Sequence, residues 1–249
     1  MTRIRYMERS GIMTWEQAGA IGMLTVDNRP ENYLAGPEFV DPDRLREWTG
    51  STLLKGIILS GKDRHFSAGA DLEQLRSMCA DASVLASRMK RGREILDYID
   101  AIEVPVIAAI EGACFGAGLE LALACHIRVC GTGALFAFPE ANHGLMPGFG
   151  GTQRLSPLVG LGRALAMILG GDIVNAEQAS AIGLVDYTTR PRGALEFSIS
   201  FMKKMVEGRS PDVIRSVVRS LNNGRTMTRQ DALEEETRLF CSLAINAHE

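Results

Sequence analysis

No stretch of this chain approaches the roughly 20 uninterrupted apolar residues that a membrane-spanning helix needs. Its first residues, Met1-Thr-Arg-Ile-Arg-Tyr6, lack the apolar stretch of a secretory leader. Cysteine is sparse and odd in number: the five residues, at 79, 114, 125, 130 and 241, include no Cys-x-x-Cys pair. That usage fits reduced thiols in a cytoplasmic protein rather than a disulfide framework. The four histidines are scattered, none paired at metalloprotease spacing, so no metal site is expected. A basic excess is missing as well. With a formal net charge of −3 the chain has no general cationic surface, and neither nucleic acid nor membrane is expected as a partner. There is no Gly-x-Ser-x-Gly elbow either, so Ser67 near His65 is not read as a nucleophile and its base.

What is present suits one large domain, or a domain with a small appendage: 249 residues, 46% of them hydrophobic and 23% charged. Ile21 to Val26, Gly56 to Ser60, Val104 to Ile110 and Ile127 to Cys130 read as short buried strands. Helical spacing of apolar residues runs from Asp71 to Met78 and from Ser83 to Ile99, and Asp41 is placed to cap a helix through Trp48. A further helix follows Gly116 and ends at Cys125. This alternation predicts an α/β core. Beyond residue 150 the pattern turns helical, over Leu161 to Leu169, Asn175 to Ala181, Gly193 to Val206, Pro211 to Asn222 and Arg229 to Ala247. Only Leu184 to Tyr187 is strand-like there. The division expected is a core over residues 1–192 and a helical region over 193–249.

Chemistry concentrates in three segments. Ser67-Ala-Gly-Ala70 joins a strand to a helix through small residues that leave the Ala68 N–H reachable, although tight packing alone would select the same turn. Gly116-Ala-Gly118 opens a helix, where the Ala117 N–H is free to meet an anion, and close packing against the preceding strand is the equal alternative. Two such N–H groups can hold one oxygen that becomes anionic during a reaction. Glu120 stands nearly one turn beyond Ala117 in an almost wholly apolar helix. A glutamate there is either used or paired, and burial would raise its pKa towards neutrality. Glu140, after Pro139, is a second acid in an apolar loop; taken singly it reads as a carboxylate at a helix start.

Taken together, Arg64-His-Phe-Ser-Ala-Gly-Ala-Asp-Leu72, Ile110-Glu-Gly-Ala-Cys-Phe-Gly-Ala-Gly-Leu-Glu-Leu-Ala-Leu-Ala124, Phe138-Pro-Glu140 and Gly144-Leu-Met-Pro-Gly-Phe-Gly-Gly-Thr-Gln-Arg-Leu155 resemble the enoyl-CoA hydratase/isomerase (crotonase) superfamily. The resemblance implies a spiral of repeated β-β-α units whose C-terminal helices assemble a homotrimer or hexamer. It implies an acyl-CoA thioester substrate, its carbonyl oxygen held by the N–H groups of Ala68 and Ala117. Glu120 and Glu140 fall on the two acidic positions of hydratases, and Phe66, Ala70, Asp71, Leu72, Gly116 and Gly148 fall on substrate-binding positions. No cofactor is implied, coenzyme A being part of the substrate. Hydration of a 2-enoyl-CoA is the reaction expected first. A Δ3,Δ2-enoyl-CoA isomerase, another acyl-thioester enzyme of this fold and a non-catalytic acyl-CoA-binding scaffold are the alternatives. The early Asn28-Arg-Pro-Glu-Asn-Tyr-Leu-Ala35 departs from the usual pattern, and His126 stands where an aspartate is frequent. Because the chain ends at Glu249, before a helix that covers the site in many relatives, a carrier-protein thioester is a further expectation beside free CoA.

Overall fold

The computed structural model describes residues 7–78 and 80–246. Cys79 and Ala247 lie outside them, as do the side chains of Leu72 and Met78.

The chain opens with β1 (Glu8–Ser10), β2 (Met13–Ala18) and β3 (Ile21–Val26), an antiparallel meander. The first two strands were not legible in the sequence, because Met13-Thr-Trp-Glu-Gln-Ala18 mixes polar residues into β2 and the edge strand β1 is only three residues long. Trp15 makes the meander part of the core. It lies over Gly22, where a Cβ would come within 2.0 Å of its ring, and stacks on Trp48 at 6.3 Å between centroids. Trp48 belongs to α1 (Pro42–Thr49), which starts as expected at Asp41, whose carboxylate accepts from the N–H groups of Asp43 and Arg44.

From β3 onward the large sheet becomes parallel. β4 (Gly56–Gly61) pairs beside β3, and after α2 (Leu72–Met78) and α3 (Ala82–Asp100) the chain returns as β5 (Val106–Ile110). Then β6 (Ala113–Phe115) leaves the large sheet, α4 (Ala117–Leu123) follows, and β7 (Ile127–Gly131) pairs with β5. β8 (Leu135–Ala137) again leaves it, to lie parallel to β6. A 3₁₀ turn (Glu140–His143), α5 (Gly151–Val159) and α6 (Leu161–Gly170) lead to β9 (Val174–Asn175), antiparallel to β8. Finally α7 (Ala176–Ala181) leads to β10 (Tyr187–Thr189), which closes the seven-stranded sheet against β7.

Each turn of this spiral therefore adds one strand to the large sheet and one short rung to a smaller one. The bridges Leu34↔Ala70 and Ser67↔Cys114 carry the smaller sheet back towards the start of the chain. This is the mixed α/β spiral that the sequence implied. One strand is displaced from its expected place. Leu184 and Val185 are buried, but their N–H groups bond to the Ala179 carbonyl and close α7, so pairing begins only at Tyr187.

The C-terminal helices divide into two kinds. α8 (Ala194–Val206) packs flat on the large sheet, its Met202 filling the space that Gly56 leaves open. α9 (Pro211–Thr226) and α10 (Arg229–Asn246) pack on each other, and α10 has no buried residue in this single chain. Among the described residues no helix is long and apolar enough to cross a membrane, and the four described cysteines are unpaired.

The last strand is held by a buried cation. Arg128, with a side chain only 5% exposed, donates to the carbonyls of Leu184 and Cys125 and pairs with Asp186 at 3.2 Å. Removing one partner of such a pair leaves a charge uncompensated. Asp186→Ala is expected to destabilise the fold by about 2 kcal/mol, less than a fully buried pair because Asp186 is partly exposed; a urea midpoint that falls at constant slope checks this.

Candidate active site

The first motif forms a tight ledge. Phe66 and Ser67 donate to the carbonyls of Glu111 and Ala113, and the Ser67 carbonyl accepts from Phe115. The Ala68 N–H is not free. It donates to the Glu31 carbonyl at 2.9 Å, so it cannot serve as the anion donor expected of it. The bridge to Leu34 uses the Gly69 carbonyl and the Asp71 N–H. Between them Gly69, at φ +99°, turns the chain so that the Ala70 N–H faces away from the 31–34 loop. Among the described residues no acceptor takes the N–H of Ala70 or of Ala117. Gly69 is also the point where the two motifs touch. A Cβ there would lie 2.8 Å from the Phe115 carbonyl oxygen and 3.7 Å from the Ala117 nitrogen. The pair of free donors is therefore Ala70 and Ala117, with Ala70 promoted from substrate contact to candidate anion donor.

Two more expectations change. Phe66 has no exposed surface and belongs to the core, so it shapes the ledge from behind instead of lining a ligand. Asp71 caps α2, accepting from the N–H groups of Glu73 and Gln74, which turns its carboxylate into the helix. The side chain of Leu72 is outside the described residues. His65 is structural: its Nδ1 accepts from the Ala113 N–H at 2.9 Å, away from any serine chemistry.

The two glutamates are brought together in contrasting surroundings. α4 is buried along its whole length, and Glu120 within it is 1% exposed. Its Oε1 accepts from the N–H groups of Phe149 and Gly151, both at 2.7 Å. Burial pushes the Glu120 pKa up, while the N–H groups of Gly151, Phe149 and Gly148 and the charge of Arg154 hold it back. Gly148, expected at a substrate-binding position, lies among the donors around this carboxylate.

Glu140 has no such support. It starts the 3₁₀ turn and lies against Gly116, where a Cβ would come within 2.8 Å of its Oε1. The role of Gly116 is thus to make room for a carboxyl group. Oε2 of Glu140 is buried without a hydrogen-bond partner. Burial, with help from the nearby Glu120 charge, pushes its pKa up to about 7. One carboxyl is ringed by backbone donors and the other has an oxygen with none, an asymmetry of surroundings suited to an acid and a base in one site.

The residue that sequence reasoning left without a role is Arg154, in α5. Its guanidinium, 9% exposed, donates to the Phe149 carbonyl at 2.8 Å and faces Asp97 and Asp100. The available signal was an arginine three residues past a glycine pair. Among the described residues no three His, Cys, Asp or Glu side chains gather as a metal would require.

The family model described as enoyl-CoA hydratase/isomerase matches residues 18–249. A probable enoyl-CoA hydratase of Bacillus subtilis (strain 168) is 34% identical over 231 residues, covering 88% of this chain and 85% of that protein. Among solved structures, an enoyl-CoA hydratase from Geobacillus kaustophilus HTA426 superposes with a TM-score of 0.88 at 27% identity, over 96% of this chain and 91% of the other. DspI of Pseudomonas aeruginosa does so at 0.84 and 31% identity, over 95% and 90%. With the fold, the paired carboxyls and the family match in agreement, this chain belongs to the enoyl-CoA hydratase/isomerase family.

Proposed function

We propose that this protein hydrates 2-enoyl-CoA thioesters to 3-hydroxyacyl-CoA. The observation that carries the reading is Glu140: a half-buried carboxyl with one unpartnered oxygen, its pKa raised to about 7, beside a second carboxyl ringed by N–H donors. The N–H groups of Ala70 and Ala117 would receive the thioester oxygen and hold it as the enolate forms. Each is worth roughly 3 kcal/mol in the transition state. Glu120, ionised, takes a proton from water as the water oxygen bonds to C3. Glu140 then gives its proton to C2 as the enolate collapses, leaving one water added and both carboxyls with exchanged protons.

An assembly is part of this reading. Leu161, Leu165 and Leu169 form an exposed stripe at helical spacing on α6, and Val213, Val217 and Leu221 form another on α9. Two apolar stripes of this kind support burial between copies, as a homotrimer or a pair of trimers. Leu165→Asp with Leu169→Asp is expected to yield monomers in sedimentation velocity, against a single larger species for the unaltered chain.

Loss of the conjugated thioester absorbance of crotonyl-CoA tests the reaction. Glu120→Gln and Glu140→Gln are each expected to lower kcat by about 10³-fold. Isomerisation of a 3-enoyl-CoA without hydration would move the assignment to an isomerase, for which Glu140 alone suffices; binding without turnover would make the protein a scaffold.

Glu140 also predicts a stability effect whose sign follows from its raised pKa. The folded protein binds this proton more tightly than the unfolded chain, so stability falls as pH rises from the usual glutamate range through about 7. Glu140→Gln removes that loss. Its melting temperature is expected to exceed wild type at pH 8 and to match it at pH 4, as differential scanning calorimetry would show.

A further inference from the structure

The peptide unit between Phe149 and Gly150 sits between the two amides that donate to Glu120. Its carbonyl is the one Arg154 holds. The glycines beside it are gripped from both sides. A Cβ on Gly150 would lie 2.5 Å from Nη1 of Arg154, and one on Gly151 would lie 2.9 Å from Oε1 of Glu120. Arg154 thus sets the plane of the turn that aims both N–H groups at the carboxylate.

Arg154 is itself held from outside. Its Nε donates to Asp100 at 3.3 Å, at the end of α3. Asp100 in turn receives both terminal nitrogens of Arg225, at 2.7 and 3.2 Å, and its carbonyl accepts from Asn222 at 3.4 Å. Arg225 lies in the last turn of α9. We propose that Arg225 and Asp100 are positioning residues, which hold Arg154 and through it the donor cage of Glu120, so that the C-terminal helix α9 sets the catalytic competence of a carboxylate it does not touch. This rests on the hydratase reading above for its kinetic consequence, but not for its geometry.

The groups facing Glu120 and its cage are Glu140 from the 3₁₀ turn, Arg154 from α5, Asp97 and Asp100 from α3, Arg225 from α9, and His126 after α4. Burial keeps His126 from protonating readily, so the charged links are carboxylate to guanidinium throughout. Loosening Arg154 weakens the N–H bonds that favour ionised Glu120, which moves its titration to higher pH and shifts the acid limb of the rate profile the same way.

The test compares the full-length chain with Arg154→Met, Arg154→Lys, Arg225→Met and Arg219→Met. Arg219 shares α9 but pairs with Glu103 and Glu235, outside the chain of contacts, and serves as the control. Hydration of crotonyl-CoA is followed across pH. In parallel the Glu120 carboxyl is titrated by carbon-13 NMR, its signal assigned with Glu120→Gln. Arg154→Met is expected to lower kcat by about 10²-fold with little change in KM, because it misaligns the cage without touching the substrate. Arg154→Lys, which keeps the charge and loses the planar fork, is expected to recover part of that. Arg225→Met is expected to lower kcat by about fivefold and raise the Glu120 titration, at an unchanged melting temperature. Arg219→Met is expected to match wild type. An Arg225→Met protein indistinguishable from Arg219→Met in both rate and Glu120 titration would overturn the proposal, and it decides the matter even if Arg154→Met does not fold. Absence of hydration in the wild type would sink the hydratase reading instead, leaving the NMR titration to judge the positioning chain.

Discussion

A carboxylate inside a helix with no exposed residue is the constraint around which this molecule is arranged. Glu120 loses its water on folding, and an uncompensated charge in such a place costs several kcal/mol. The turn after residue 147 supplies the replacement. Its backbone bends back over α4 with two N–H groups on one carboxylate oxygen, and the geometry leaves no room for side chains at Gly150 or Gly151. A turn built from glycine has little rigidity of its own. The buried guanidinium of Arg154 provides it, and that charge needs Asp97 and Asp100 in turn. Much of the polar interior thus follows from one ionisable side chain.

Glu140 shows the opposite solution to the same problem. No donor is provided for its buried Oε2, so its pKa rises to about 7 and a large share of the group still holds a proton at neutral pH. The backbone arranges this asymmetry cheaply. Gly116 admits the carboxyl by lacking a Cβ, and the same glycine, at φ +49°, turns the chain into α4 so that the Ala117 amide is left without a partner. A single residue without a side chain serves the acid and the anion donor together.

Much of this could be read before any coordinates. Continuous apolar runs such as Val106 to Ile110 declare buried parallel strands, and Asp41 and Asn175 announce helix starts with their own side chains. The two glutamates stood out because each interrupts an apolar setting. What escaped were features decided by backbone direction. Ala68 and Ala70 are the same residue type, one place either side of Gly69, and only the sign of φ at that glycine determines which N–H faces the site. Arg154 was equally silent, since an arginine in an amphipathic helix normally faces water. Phe66 misled for the converse reason: it stands beside the small residues of the ledge, while its own ring is turned into the core.

The rungs of the smaller sheet come from successive turns of the spiral. Leu34 meets Gly69 and Asp71, Ser67 meets Ala113 and Phe115, and β6 meets β8, each bond waiting for chain that lies later in the sequence. A ribosome delivers these segments in that order. The Glu120 helix therefore emerges some thirty residues ahead of the amides at Phe149 and Gly151 that make its charge tolerable. Until they arrive, α4 is an apolar helix carrying a carboxylate with nowhere to sit. The spiral can close over that carboxylate without stranding its charge only once Phe149 and Gly151 have followed.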